Sequence, residues 1–281
     1  MRIEPIDTAA GFAAAAAGLL DADPANNNPL LSALHTAVSA AEPASDPWAS
    51  VLVRDASDTL CAAARLFRQN WVLSTGLPDA FEALGRWATA RHEAGMRFAG
   101  FRGPLASAAG FEAGVALPCT TFMALPLFQL NGEPRLPRAV AGQLRQADER
   151  DLAIVSAWSD AFRIEARLQK TGAQAAEDVA RQVRAGARWL WVDEAGAPAG
   201  LIGAARSGPS AARIGPVYTP PPLRGRGIGG AMVATLAQDL RRSGIEHVFL
   251  FTDLANPVSN ALYPRIGFVP AGQHVHRAVL R

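Results

Sequence analysis

The sequence predicts an α/β protein with mixed α+β sheets, arranged as two domains of similar topology. Three observations carry this expectation. The chain has 281 residues, more than one hydrophobic core usually serves. Strands interleave with helices in the second half, and the same element order returns in the first. Between the halves, Asn131-Gly132-Glu133-Pro134-Arg135-Leu136-Pro137 has no hydrophobic periodicity and two prolines, which suits a linker. The expected division is a first domain at 1–130, a linker at 131–141 and a second domain at 142–281.

In the first half, residues 50–54, 60–68 and 71–75 predict three strands, followed by a helix at 79–94. A strand at 98–101, a short helix at 105–111 and a strand at 120–130 complete it. The second half opens with a strand at 142–147. Asp148 is placed to cap a helix, with Asp151 three residues on. Leu152, Val155, Trp158 and Phe162 follow at helical spacing, and a second helix spans 175–185. Strands at 189–192 and 199–205 flank a turn at Glu194-Ala195-Gly196, and another strand spans 212–219. Ile228, Met232, Leu236 and Leu240 recur every four residues, one buried stripe on a helix. A strand at 247–252, a short helix at 257–266 and strand at 268–280 end the chain.

Composition narrows the function classes. Hydrophobic residues make up 49% and charged residues 19%, as in folded soluble proteins. The formal net charge of +2 points to no polyanionic partner, so nucleic acid is not expected. No apolar run reaches the length of a membrane span. The alanine-rich start, MRIEPIDTAAGFAAAAAGLL, carries Glu4 and Asp7 and lacks the basic start and apolar block of a signal peptide. The expectation is therefore a cytoplasmic protein without membrane contact, either a monomer or a homodimer. Two cysteines, Cys61 and Cys119, argue against a disulfide framework or a zinc cluster, and no metal site is expected.

The segment Leu223 to Gly230, LRGRGIGG, is the sharpest local signal. Four glycines and two arginines open a good helix. A plain turn needs fewer glycines. A dinucleotide fingerprint matches at Gly225-Arg226-Gly227-Ile228-Gly229-Gly230, with Asp253 after the next strand. That fingerprint wants its first glycine against the strand end, and here residues 220–224 intervene. The fold would also need further βα units, for which little chain remains. The third reading is an anion cradle. Successive glycines let backbone N–H groups converge on one phosphate, the helix start adds its dipole, and Arg224 and Arg226 supply charge.

Here the sequence resembles a known family. Arg224-Gly225-Arg226-Gly227-Ile228-Gly229 is similar to the R/Q-x-x-G-x-G/A signature of the GNAT superfamily, the acyl-CoA-dependent N-acyltransferases. NPVSNALYPRIGF at 256–268 looks like the second family signature, with Tyr263 seven residues after Asn256 and Gly267-Phe268 closing it. The resemblance covers roughly residues 142–281. It implies a GNAT fold, with a first domain that is a degenerate GNAT-like copy lacking the cradle. At the corresponding place that copy has Gly76-Leu77-Pro78-Asp79, one glycine and an acid.

The resemblance further implies acetyl-CoA as co-substrate. Its diphosphate would lie on Arg224, Gly225, Arg226, Gly227, Ile228, Gly229 and Gly230, and its pantetheine arm along Val217, Tyr218 and Thr219. Pro216 lacks an N–H, so a bulge or splay there would free backbone groups for the arm. Asn256 would bond pantetheine or cap the helix that Pro257 begins. Tyr263 matches the family's usual proton donor to the departing thiolate. The family's glutamate base is missing from AARIGPVYT; Asp253, Glu165 and Asp193 are the candidates, with Asp253 best placed. His274 and His276 share a strand face and are taken as surface or pocket residues, and Trp189 and Trp191 as core or pocket wall. The expected activity is transfer of acetyl to an amine of a small molecule or peptide, by direct attack in a ternary complex. The rival is an acyl-CoA sensor that has lost turnover.

Overall fold

A computed structural model describes residues 1–39, 48–168 and 173–280. The chain divides into two compact units, Met1–Leu127 with Pro270–Arg281, and Phe128–Val269.

In the first unit the order is β1 (Arg2–Pro5), α1 (Ala9–Ala22), α2 (Pro24–Ser39), β2 (Ser50–Arg54), β3 (Leu60–Phe67), β4 (Asn70–Leu73), α3 (Pro78–Glu93), β5 (Gly100–Pro104), α4 (Leu105–Gly114) and β6 (Cys119–Leu130). Strands β1 to β4 pair antiparallel in sequence, and β4 pairs with β5 in parallel. Alternation along each strand sorts side chains to two faces. Val51, Val53, Ala62, Ala64, Trp71 and Leu73 pack with Phe81, Leu84 and Phe111 of α3 and α4. Leu52, Ala63 and Val72 pack on the other face with Phe12, Ala16, Leu20, Leu30 and Leu34 of α1 and α2.

The second half of the chain repeats that order: β7 (Gln143–Gln146), α5 (Leu152–Glu165), α6 (Ala173–Arg184), β8 (Arg188–Val192), β9 (Pro198–Arg206), β10 (Ala211–Tyr218), α7 (Ile228–Arg242), β11 (His247–Phe251), α8 (Pro257–Ile266) and β12 (Phe268–Val279). Strands β7 to β10 are antiparallel neighbours, and β11 joins β10 in parallel. One face packs on α7 and α8 through Ile202, Ile214, Met232, Leu236, Val248 and Leu250. The other packs on α5 and α6 through Val155, Val179, Val183, Leu190 and Leu201. The expected stripe on α7 is present: Ile228, Met232 and Leu236 are buried and Leu240 packs against the same core.

Three sequence expectations change. The first half begins with β1, α1 and α2, so the repeat is longer than the seven elements expected from residue 50 onward. Residues after Val269 lie in the first unit, not the second, because His274–Ala278 pair antiparallel with Gly100–Pro104 of β5. Residues 131–141 belong to the second unit rather than standing between units.

The start of α5 shows the expected capping box. The Asp151 carboxylate accepts from the Asp148 N–H at 2.9 Å and from both Arg145 terminal nitrogens at 2.7 and 2.8 Å. Its hydrogen bonds to Arg145, opposed by burial, hold its pKa below the usual carboxylate value. A depressed folded-state pKa stabilises above the unfolded value, about 4, and the contribution fades as pH falls through the folded value. Asp151→Asn should therefore cost about 1–2 kcal/mol at pH 7, the worth of a charge-assisted bond and cap with a partly solvated arginine. Urea denaturation from pH 7 into acid checks this: the gap should start to shrink at about pH 4 and close only once pH has fallen through the lowered folded-state value. A constant gap across pH would assign the loss to packing.

Candidate active site

Strand β10 changes partners along its length. Its parallel pairing with β11 runs from Ala211↔His247 to Ile214↔Leu250 and goes no further. Its register against β9 shifts between Ile214 and Val217, then resumes at Val217↔Ile202 and Tyr218↔Leu201. The edge of 215–218 that faces away from β9 thus has no strand partner among the described residues. Pro216 lies at this break, where its missing N–H breaks no ladder. Tyr218 turns its ring into the core, 6.3 Å from Trp158, so its backbone is what remains along the unpaired edge.

A single 3₁₀ turn at Pro221–Leu223 carries the chain into the glycine loop. Each glycine there has its own reason. Gly225 and Gly227 have φ of 76° and 87°, the left-handed region where a side chain is strained. Gly230 lets α7 meet α8: a Cβ there would stand 3.1 Å from Leu262 Cδ1. Gly229 has ordinary helical surroundings, and a Cβ would meet only Thr219 Oγ1, at 3.8 Å. Gly227 caps α7 without a side-chain bond. Among the described residues, the backbone N–H groups of Gly225 to Gly230 donate to no protein acceptor; Ala231 is the first to bond, to the Gly227 carbonyl at 3.1 Å. Six consecutive residues therefore offer free N–H groups at the positive end of a helix of 15 residues.

The arginines behave differently from each other. Arg224, expected to face phosphate, donates from Nη2 to both Glu165 oxygens at 2.8 and 2.7 Å and from Nε to the Thr219 carbonyl at 2.9 Å. It is pinned to the end of α5, and its charge is already shared. Arg226 makes only a long 3.4 Å contact with the Pro222 carbonyl.

The three acids are each engaged. Glu165 is held by Arg224. Asp253 accepts from the Ala255 N–H at 2.9 Å, the geometry of a turn-forming aspartate. Asp193 does the same for Ala195 and Ala197 at the exposed β8–β9 turn. Asn256 caps α8, accepting from the Ser259 N–H at 3.1 Å ahead of Pro257.

Tyr263 is buried, its ring centroid 6.2 Å from those of Phe128 and Phe268. Burial pushes its phenol pKa up, against the opposing hydrogen bond with Ser259. The group therefore stays protonated at neutral pH, the state a proton donor needs. Trp191 and Trp189 pack in or against the second unit's core, as expected. His274 does not lie on the surface: it is buried in the first unit, with Nε2 3.3 Å from Asn26 Oδ1. The β12 pairing with β5 brings it there.

The first unit's counterpart of the loop is closed. Ser74 N–H bonds the Ala63 carbonyl at 2.9 Å, Thr75 N–H bonds Asn27 Oδ1 at 2.7 Å, and Leu77 N–H bonds the Cys61 carbonyl at 3.0 Å. A Cβ on Gly76 would stand 2.2 Å from that same carbonyl oxygen. This glycine serves close packing, and the neighbouring Thr75 and Leu77 N–H groups are spent on the protein itself.

Comparisons with known proteins bear on the fold and on the family of the second domain. Residues 152–268 match the acetyltransferase (GNAT) family model. The mycothiol acetyltransferase of Salinispora tropica is 39% identical over 72 residues, 24% of this chain and 24% of its own length. The chain thus matches about a quarter of that relative. Across the whole chain the fold is similar to a GNAT-family acetyltransferase from Colwellia psychrerythraea, with TM-score 0.65, 10% identity and 100% of both chains covered. It is also similar to a GCN5-related N-acetyltransferase from Sphaerobacter thermophilus, with TM-score 0.66, 17% identity and 99% and 96% covered. A tandem GNAT protein from the clavulanic acid biosynthesis pathway has TM-score 0.54 and 17% identity over 82% of each chain. The architecture is that of two GNAT-like domains in tandem, each a mixed, mostly antiparallel sheet flanked by helices. Within the second domain, residues 152–268 are the part that matches the GNAT acetyltransferase family model.

Arg138 carries no signal in the sequence. Its side chain lies against Gly227, where a Cβ would stand 2.8 Å from Arg138 Cδ. A positive residue inside a proline-containing segment gives no periodic signal, so only the fold reveals this proximity.

Proposed function

We propose that the second unit moves an acetyl group from acetyl-CoA to an amine of a small molecule or peptide. The observation that carries this reading is the run of free N–H groups from Gly225 to Gly230, beside the unpaired edge of β10. The loop suits a diphosphate because its donors converge without side chains in the way. The β10 edge suits the amides of a pantetheine arm, since Val217 and Tyr218 lie on the stretch left without a β11 partner and Thr219 follows it. The thioester supplies the activated acetyl group.

The residues then divide the work. A backbone N–H of the β10 edge polarises the thioester carbonyl and stabilises its developing negative charge. The neutral amine nitrogen of the acceptor attacks the carbonyl carbon in a ternary complex, and the carbon–sulfur bond breaks. The Tyr263 hydroxyl gives its proton to the departing sulfur, and the proton lost by the amine leaves through water. Asp253 is the acid best placed by sequence to receive that proton through water, although its carboxylate also holds the turn at Ala255. Asn256 serves as helix cap and, with its remaining donors, as a pantetheine contact.

One observation favours a second reading, an acyl-CoA sensor without turnover: each candidate base already has a protein partner. Calorimetry with acetyl-CoA, run beside an acetyl-transfer assay over an amine panel that includes the acceptor of mycothiol acetyltransferases, separates the two. Micromolar binding with transfer is the expected result. Binding without transfer or hydrolysis supports the sensor. Absence of binding would sink both, and preferential NADH binding would restore the dinucleotide reading.

A further inference from the structure

We propose that Arg138 is a phosphate-binding residue of this site, supplying the charge that Arg224 does not. The inference rests on the acetyl-CoA reading above and adds to it a residue outside both family signatures.

The segment 131–141 was expected to be a linker, yet it is fastened to the second unit at both ends. Asn131 N–H bonds the Gly267 carbonyl at 3.0 Å, and Arg135 N–H bonds the Ile266 carbonyl at 2.8 Å. On the far side, Val140 packs against the core, and the Ala141 carbonyl accepts from Trp191 Nε1 at 3.1 Å. Between these anchors the chain crosses the start of α7. Pro137 Cγ lies 3.6 Å from where a Cβ would stand on Gly230, and Arg138 Cδ, Cγ and Nε lie 2.8, 3.1 and 3.1 Å from the equivalent point on Gly227. Gly227 thus gives room for the Arg138 stem as well as permitting its own left-handed backbone.

The charge accounting points the same way. Arg224 is neutralised by Glu165. Among the described residues no acid pairs with Arg138, and its side chain is exposed. An unpaired guanidinium therefore rests on the N-cap of α7, beside six free N–H donors. Holding it there without an anion brings like charges together, since the helix start is itself positive. A bound diphosphate relieves that repulsion and accepts from both sources. Because the stem lies on Gly227 itself, the group served is the diphosphate over the loop and not the 3′-phosphate of the adenosine end.

The test is calorimetric titration of the full chain with coenzyme A and with dephospho-coenzyme A, which lacks only the 3′-phosphate. Arg138→Met keeps the stem and removes the charge. It should weaken both ligands equally, by about 10-fold, the lower end for a charge-assisted bond at an exposed site. Arg138→Lys should recover part of the loss. Circular dichroism of both variants should match the wild type, as expected for an exposed residue. Unchanged affinity in Arg138→Met overturns the proposal. Loss confined to coenzyme A overturns the diphosphate assignment. If the wild type binds neither ligand, the acetyl-CoA reading itself fails, a result distinct from either.

Discussion

Tyr263→Phe should lower kcat for acetyl transfer by about 10²–10⁴, the usual worth of a positioned general acid. The substitution keeps the ring that packs on Phe128 and Phe268 and removes only the hydroxyl. The loss should fall on kcat more than on the KM for acetyl-CoA, because protonation of sulfur matters in the transition state and little in the ground state. Burial raises the phenol pKa, so any alkaline limb from Tyr263 in the wild-type rate should lie above the ordinary tyrosine value of about 10. Stability should drop by about 1 kcal/mol at most, the net worth of the bond with Ser259. A purely structural tyrosine predicts the opposite pattern: a lower denaturation midpoint with kcat unchanged. Wild-type turnover in the variant, with chemistry shown to be rate-limiting, would leave water as the proton source.

Legibility in the sequence followed the range of the interactions. Local signals held. The stripe Ile228, Met232 and Leu236 required no knowledge of what covered it, because a helix repeats every 3.6 residues. The box of Asp148 and Asp151 was readable for the same reason, its two partners being three residues apart. Long-range pairings were not readable. The last strand is legible as a strand, but its place beside β5 depends on an edge 170 residues or more earlier in the chain. Arg224 and Glu165 are 59 residues apart, and nothing in either neighbourhood announces the other. The first helices were missed for another reason. The apolar spacing of Phe12, Ala16 and Leu20 is there, but in a run of alanines the contrast between faces is faint. The glycine loop was legible as a cradle because glycines at a helix start have few other uses. Assigning one purpose to all four was too simple: two set backbone shape, one sets helix packing, and Gly229 has neither duty.

That sorting makes Gly229→Leu the sharper probe of the cradle. Gly227 is a poor test site, since its φ of 87° and its contact with Arg138 would strain any side chain and confuse folding with binding. Gly229 lies in the first turn of α7 without a left-handed φ, and a Cβ there meets nothing closer than 3.8 Å. The fold should accept leucine. Stability should rise by a few tenths of a kcal/mol up to about 1 kcal/mol, because glycine is among the worst helix formers. Yet the same side chain would fill the open space over the free N–H groups and hold a phosphate off them. Each lost charge-assisted bond is worth about 1.5–3 kcal/mol, so coenzyme A affinity should fall by about 100-fold. Gly229→Ala, with one methyl group, should gain similar stability and lose less affinity. A protein that is harder to unfold and binds its co-substrate worse is the pattern of a residue kept for function at the expense of the helix. The pairing of measurements matters, because a merely misfolded variant would lose both quantities together. Undiminished coenzyme A binding by a folded Gly229→Leu protein would mean that the diphosphate does not lie on this loop, and the six free N–H groups would need another anion to explain them.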